Sequence, residues 1–189
     1  MQNNIRERRF LKVKEIVVFS MLGTVMFFGD VLMEMLPNIH FVGVLTVIYT
    51  MVYRKKALIP LYIYVFLNGL LAGFSLWWIP YLYIWTILWG AAMLIPKNIH
   101  ISIVALLCAI LSGLHGFAFG ALYAPAQAIM FGLDLNGMIA WIIAGLPFDL
   151  IHGIANLAAS VVIIPIVTLL CRLERLPLPF RITKKAENK

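Results

Sequence analysis

Six apolar runs, separated by polar or basic breaks, make up most of this chain, and the longest break is a predicted non-basic outer loop over 123–137. A helix needs about 20 apolar residues to cross a bilayer, and most of the runs reach or approach that length. The breaks contain helix-ending pairs such as Pro37-Asn38 and Pro96-Lys97. The pattern therefore predicts six membrane-spanning helices, over residues 13–36, 41–53, 57–76, 81–95, 101–122 and 138–170.

The composition favours an integral membrane protein. Hydrophobic residues make up 63% of the chain, charged residues 12%, and the mean hydropathy is +0.97, whereas soluble domains carry about 25% charged residues. We expect an all-α membrane protein with one transmembrane domain over 13–171, a basic leader over 1–12 and a basic tail over 172–189. The first run is longer than the apolar region of a signal peptide and has no small-residue cleavage site, so we expect it to remain as a span.

The positive charge lies in the breaks and at the two ends. All 15 Lys and Arg residues lie outside the apolar runs or at their ends, and six spans put every one of them on one side. Because Lys and Arg are enriched on the cytoplasmic side, both termini are predicted to be cytoplasmic. The run 41–53 is short, but without it the cations 54–56 would lie on the outer side. This topology explains the net charge of +7 better than nucleic-acid binding does, since no run carries a basic stripe.

The last run contains a polar stripe. At about 100° per residue, its members fall within roughly 80° of one another on a helix. They are Gly145, Asp149, His152, Asn156 and Ser160. A carboxylate at membrane depth costs about 2.5–3.5 kcal/mol, so such groups usually face a bundle interior or a wet cavity. The stripe is catalytic, ligand-binding or a polar contact between helices, and the combination of an acid with a histidine favours a ligand site.

Other polar and aromatic residues are further candidates. Asp30 and Glu34 share a helix face near the outer mouth, as a gate, a cation contact or a solvated helix end. His40 and His115 are either substrate contacts or ordinary core and interface residues. The indoles Trp85 and Trp89 continue the face of Tyr81, where they stack on a flat ligand ring or pack in the core.

Signature motifs of common catalytic sites do not occur in the sequence. The chain has no Gly-rich Lys-Ser/Thr loop for a nucleotide, no His-Glu-x-x-His and no Gly-x-Ser-x-Gly. Cys108 and Cys171 lack the spacing of a metal site or of a disulfide framework. We therefore expect no enzyme activity, no cofactor and no bound metal.

Three segments resemble the S components of energy-coupling factor (ECF) transporters, small membrane subunits that capture a vitamin or a related micronutrient. They are Asn68–Phe74, Trp78–Trp85 and Gly145–Asn156, and the resemblance in topology covers the whole chain. It implies a six-helix bundle in a prokaryotic plasma membrane, surrounded by lipid. It also implies partners, namely a transmembrane scaffold subunit and two ATPase subunits.

In that family the substrate lies in the outer half of the bundle, among the last three helices and below outer loops. The resemblance implies that Asp149, His152, Trp85 and His115 lie near the substrate, with lids at 37–40 and 123–137. The full set of candidate substrate contacts is Asp149, His152, Asn156, Trp85, Trp89, His115, Asn68 and His40.

The resemblance also bears on docking and on the ligand. The family's first helix meets the scaffold through an Ala-xxx-Ala pair, and the nearest match here is Ser20 with Thr24, which are small but not alanine. Nickel and cobalt members begin with Met-His, whereas this chain begins Met1-Gln2, so a metal ion is disfavoured as substrate. Because the outer loops lack Lys and Arg, we expect a neutral or cationic heterocycle.

Two alternatives remain open at this point. One is a stand-alone carrier coupled to protons or sodium, with Asp149 and His152 as a proton relay, although no inverted repeat is evident. The other is an intramembrane metal enzyme that acts on lipid.

Overall fold

A computed structural model describes residues 12–35 and 39–182, which form eight α-helices joined by loops and 3₁₀ turns. The first 11 residues of the predicted leader, the turn at 36–38 and the tail residues 183–189 lie outside this description. The helices are α1 (Val13–Met33), α2 (Val42–Tyr53), α3 (Leu58–Ala72), α4 (Tyr81–Met93), α5 (Ile101–Phe117), α6 (Phe119–Phe131), α7 (Leu135–Ala159) and α8 (Ile163–Leu173). The 3₁₀ turns are Arg54–Ala57, Leu76–Trp78 and Ser160–Val162. The first five helices begin within one residue of the predicted starts.

Four helical stretches of the described chain, three of which contain more than one α-helix, are long and apolar enough to cross a membrane. They are Val13–Met33, Val42–Ala72, Ile101–Phe131 and Leu135–Leu173. Large apolar side chains such as Leu32, Ile143 and Phe148 cover the outer surface of the bundle, as lipid-facing residues do. The prediction of an all-α membrane protein is confirmed.

Helix α2 lies at the centre of the bundle. Its residues Val42, Val44, Val47 and Ile48 are fully buried, and α1, α4, α5 and α8 all contact it. A helix that is apolar on every side is expected where protein surrounds it completely. This position accounts for the uniform apolar character of the second run.

Arg54 separates α2 from α3. Its positive φ of 53° ends α2, so the stretch 42–72 forms two helices rather than one. Helix α3 then packs along α1, where Gly23 allows a close approach: a Cβ there would lie 2.8 Å from the carbonyl oxygen of Pro60.

Basic side chains gather at one end of the bundle, which we call the basic end. Lys14 in α1 forms an ion pair with Glu174, just after α8, at 2.8 Å. Lys56, between α2 and α3, pairs with Glu15. The beginning of the described chain and the end of its last helix therefore lie side by side.

The opposite end, which we call the acidic end, contains Asp30 and Glu34. Here the end of α1 lies beside the segment before α2, the end of α3 and the beginning of α4, since residues of all four line one cavity. Helix α3 ends at Ala72, four residues before the predicted end of the third run, and the next residue, Gly73, has a φ of +89° that favours glycine. Because α3 stops early, the residues after Gly73 form the connection that contains Trp77 and reaches the start of α4 at Tyr81.

The predicted outer loop 123–137 is wrong. Helix α6 continues to Phe131, and Gly132, with φ +66°, ends it in the left-handed conformation. Asp134 then caps α7 by accepting the N–H of Gly137 at 2.7 Å. Pro125 lies inside α6, and the apolar residues after it keep the helical conformation. Only a short connection therefore remains of the lid that the resemblance implied here.

Candidate functional site

A cavity of about 380 Å³ opens at the acidic end. Its volume lies within the range of about 300–1,000 Å³ that is usual for small-molecule sites. Its polar and aromatic lining consists of Asp30, Glu34, His40, Asn68, Trp77 and Tyr81, and aliphatic side chains complete the wall. Two carboxylates line it, and no Lys or Arg of the described chain does.

The carboxylate of Asp30 is held by two uncharged donors. Its Oδ2 accepts the hydroxyl of Tyr64 at 2.9 Å and the side-chain amide of Asn68 at 3.4 Å. Tyr64 and Asn68 lie one turn apart on α3, so both face α1. Tyr64 is only 1% exposed, and the carboxylate therefore has a fixed position beside the cavity.

The acids at the two ends of the bundle differ in their partners. At the basic end, Glu15 and Glu174 each pair with a lysine. Within the part of the chain that is described, neither Asp30 nor Glu34 has a Lys, Arg or His nitrogen within 4.0 Å of its carboxylate. No cation in the ranges 12–35 and 39–182 thus compensates the charge at the acidic end.

Five rings from five parts of the chain meet below the cavity. They are His40 before α2, Trp85 in α4, His115 in α5, Phe119 in α6 and His152 in α7, and we call them the ring cluster. The ring centroids of His40 and His152 are 4.5 Å apart, those of His40 and Trp85 5.8 Å, and those of Trp85 and His115 5.5 Å. His40 also lines the cavity, so it links the two features.

Several buried polar atoms in and beside the ring cluster lack hydrogen-bond partners among the described residues. They are Nδ1 of His40 and His115, Nε1 of Trp85, Nε2 of His152 and both side-chain amide atoms of Asn156. Buried polar atoms are nearly always paired, and an unpaired one costs about 1–3 kcal/mol. Such a concentration in one place is typical of a site where a bound molecule or water supplies the partners.

His40 offers a neutral ring to this site. Burial lowers the pKa of His40 below its ordinary value, against the attraction of Asp30. Neutral imidazole presents one donor and one acceptor. The ring is therefore suited to hydrogen bonding with a polar ligand rather than to serving as a positive charge.

The polar stripe predicted on the last run lies on the buried face of α7. Asp149, His152 and Asn156 are all buried there, while Ser160 falls in the 3₁₀ turn that follows and bonds back to the carbonyl of Leu157. His152 belongs to the ring cluster, and Asn156, one turn further along α7, lies beside Gly116 of α5. The amide of Asn156 packs against Gly43 of α2.

Asp149 has a different environment from the one predicted. Both of its carboxylate oxygens accept the backbone N–H of Gly120, at 3.0 and 3.1 Å. It does not line the cavity. Its neighbours make it the cap of α6, and the acids beside the cavity are Asp30 and Glu34 instead.

The structure brings most of the other candidates together. Asp30, Glu34, His40 and Asn68 line the cavity, and Trp85, His115, His152 and Asn156 lie in or beside the ring cluster. Trp89 does not join them. One helical turn carries it about 6 Å along α4 from Trp85, and its indole N–H donates to the carbonyl of Arg54 at 3.1 Å, at the basic end.

Four residues of the site were not among the predicted substrate contacts. In the sequence, Trp77 and Tyr81 fit a membrane-interface belt, Phe119 shares one side of its run with His115, and Tyr64 stands out only by its spacing from Asn68. Tyr64 precedes Asn68 by four residues, a spacing that places both on one face. For Tyr64 this spacing was the only signal in the sequence, because its contact with Asp30 joins two different helices.

The predicted scaffold contact lies on the outside of α1. Ser20 is exposed, and Thr24 donates its hydroxyl to the carbonyl of Ser20 at 2.8 Å. Of the predicted lid 37–40, residues 37 and 38 lie outside the described part, whereas Ile39 and His40 line the cavity.

Comparisons with known protein families, with curated proteins and with solved structures give no match for this chain. The residues and their geometry define a helical membrane protein with a ligand-sized cavity at its acidic end. No group of three or more His, Cys, Asp or Glu in the ranges 12–35 and 39–182 is placed to hold a metal ion.

Proposed function

We propose that this chain is the substrate-binding subunit of an ECF-type importer. It captures a small vitamin-like micronutrient outside the cell and delivers it together with a scaffold subunit and ATPases. The observation that carries the proposal is the group of buried, unpartnered polar atoms in and beside the ring cluster, which His40 links to the cavity at the acidic end. A ligand that entered the cavity and reached the cluster would satisfy these atoms.

The proposal includes six membrane crossings with both termini in the cytoplasm of a prokaryotic cell. Lys14, Lys56 and the segment after α8 lie at the basic end, as the enrichment of Lys and Arg on the cytoplasmic side would require. In this orientation the acidic end, and with it the cavity, faces outward. Substrate capture from the outside follows from this arrangement.

Two observations support the proposed scaffold and ATPase partners, one from the sequence and one from the outer face of α1. The sequence has no phosphate-binding loop, so ATP hydrolysis belongs to other subunits. The outer face of α1, with Ser20 and Thr24, offers small side chains for close contact with a scaffold helix. The ligand is a small neutral or cationic heterocycle, because no Lys or Arg lines the cavity.

A thermal-shift screen of vitamins and their precursors on the detergent-purified full chain tests the proposal. We expect one chemical class to raise the thermal midpoint by several degrees, since a ligand that binds only the folded state stabilises it. Asn156→Leu, which removes two unpartnered atoms at similar volume, should abolish the shift. Ser160→Ala, at the end of the same helical stripe, is the matched control and should keep it.

Two results would contradict the proposal. One is the absence of a shift with every vitamin and precursor tested. The other is ion-driven uptake by the lone chain in liposomes, which would favour the stand-alone carrier considered from the sequence. Uptake that needs the scaffold and ATPase subunits would support the importer.

A further inference from the structure

The charge of Asp30 is positioned but not neutralised. Tyr64 and Asn68 hold the carboxylate through uncharged donors, and both bonds go to Oδ2. A carboxylate that is partly removed from water and lacks a counter-cation is unfavourable. Glu34, one turn further along α1, adds a second acid to the same cavity. A positive group in the cavity would offset both.

The described residues bring no Lys or Arg to the cavity. No Lys or Arg occurs in residues 15–53 or 57–96, which contain the whole described lining. The cations at 54–56 belong to the basic end, where Lys56 pairs with Glu15 and Arg54 donates to the carbonyl of Met93. Among the described residues nothing compensates the two acids, and a bound cationic molecule would do so.

Two aromatic walls stand beside the acids. The rings of Trp77 and Tyr81 are 5.6 Å apart between centroids and almost perpendicular, at 87°. Trp77 is held in place through its carbonyl, which accepts the hydroxyl of Tyr123 at 2.9 Å. Aromatic faces at an angle, together with carboxylates, are the usual surroundings of a bound organic ammonium group.

We propose that the substrate of this site carries an organic ammonium group, which binds in the cavity between Asp30, Glu34, Trp77 and Tyr81. The rest of the substrate passes His40 and makes its polar contacts in the ring cluster. This inference rests on the proposed function and names the chemical class of its substrate. A bare inorganic cation is disfavoured, because calcium requires about six to eight oxygen ligands and the cavity presents aromatic and aliphatic walls.

A set of probes that share one phenyl ring but differ in charge tests the inference. The probes are phenethylamine, phenethyltrimethylammonium, the neutral N-acetylphenethylamine and the anionic 3-phenylpropionate, each added at millimolar concentration to the detergent-purified full chain at neutral pH. The thermal midpoint is followed by circular dichroism. We expect both cations to raise it and to bind about tenfold more tightly than the neutral and anionic members.

Two variants locate the effect. Asp30→Asn retains an oxygen that accepts from Tyr64 but removes the charge, so it should abolish the preference for cations. Asp134→Asn removes an acid elsewhere and retains a good helix cap, so it should leave the preference unchanged. The midpoint of each variant without a probe shows whether it folds, and Glu34→Gln, which should weaken the preference, replaces Asp30→Asn if that variant does not.

Three outcomes would overturn the inference. They are tighter binding of the neutral or anionic probe, an equal shift with calcium chloride alone, and cation preference that survives both charge-removing variants. If a neutral vitamin binds in the screen and Asn156→Leu abolishes its binding, the proposed function stands and the ammonium inference falls. If no compound binds in either experiment, both fall.

Discussion

Asp149 of α7 accepts the backbone N–H of Gly120 in α6 with both of its carboxylate oxygens, at 3.0 and 3.1 Å. Gly120 suits this contact, because a Cβ there would collide with the carboxylate. The N–H groups in the first turn of a helix have no partner within the helix, and Asp149 satisfies one of them from a neighbouring helix. The contact joins α6 to α7 beside the ring cluster.

This contact predicts that Asp149 acts mainly on stability. Asp149→Ala should lower the free energy of unfolding by about 1–2 kcal/mol, the usual cost of a lost helix cap. Gly120→Ala should have a similar effect, and the double variant should lose less than the sum, because both changes break one contact. Thermal midpoints in detergent measure all three. An unchanged midpoint combined with lost ligand binding would restore Asp149 as a ligand contact.

In contrast to Asp149, His152 should contribute to ligand binding and not to stability. Its Nε2 is buried without a partner, so His152→Phe keeps a ring in the cluster and removes an unpaired polar atom. We expect equal or higher stability, by up to about 1 kcal/mol, because an unpaired buried atom is costly. Ligand-induced stabilisation should be lost in the same variant. Isothermal titration with the compound found in the screen measures the second effect, and a Kd unchanged from wild type would contradict it.

Substitutions of the two tryptophans of α4, Trp85 and Trp89, should have different effects on stability and on ligand binding. Trp89 donates to the carbonyl of Arg54, so Trp89→Phe should cost about 1 kcal/mol of stability and leave the ligand Kd unchanged. Trp85 belongs to the ring cluster, and Trp85→Phe should weaken ligand binding about tenfold or more. Equal effects of the two variants on Kd would show that Trp85 has no special role.

His40 should make stability depend on pH. Burial lowers its pKa in the folded protein, so the folded state favours the neutral ring while the unfolded state takes up a proton near about pH 6.5. This contribution to stability is present above the unfolded pKa and is lost as the pH falls below it. The thermal midpoint should therefore drop between about pH 7 and pH 5, and it should drop less in His40→Gln. A variant that follows the wild-type pH profile would contradict this assignment.

The orientation can be tested with single introduced cysteines. Cys108 and Cys171 are buried, at 0% and 2% exposure, and should react slowly with a membrane-impermeant maleimide. Ser75→Cys, between α3 and α4 at the acidic end, should be labelled on intact cells. Lys97→Cys, between α4 and α5, should be labelled only after permeabilisation. The reverse pattern would place the cavity on the cytoplasmic side.

Much of the helical framework could be predicted from local pattern. The break Pro96-Lys97 lies between α4 and α5, and the predicted starts of the first five helices agree with the structure. The predicted helix ends were wrong at two places. Pro125 occurs inside α6, and the helix continues after it because apolar residues and neighbouring helices support it. Gly73, in contrast, ends α3 earlier than the apolar pattern indicates.

The site was predicted only in part, because its contacts join residues far apart in the chain. Helical spacing correctly put His152 and Asn156 on one buried face of α7, and it drew attention to Asp30 and Glu34. Helical spacing could not predict which residues Asp30 and Asp149 contact. Tyr64 contacts Asp30 across 34 positions of the chain, and Gly120 contacts Asp149 across 29.

By itself, the sequence determined that this is a helical membrane protein, since the length and apolar character of a helical segment are local properties of the chain. It also determined which residues share a helix face. Tertiary structure alone decided that Asp149 caps α6 while Asp30 faces the cavity, and that three histidines and a tryptophan meet below it. Helical spacing shows only which side chains point in the same direction. The packing of the helices determines which residues those side chains contact.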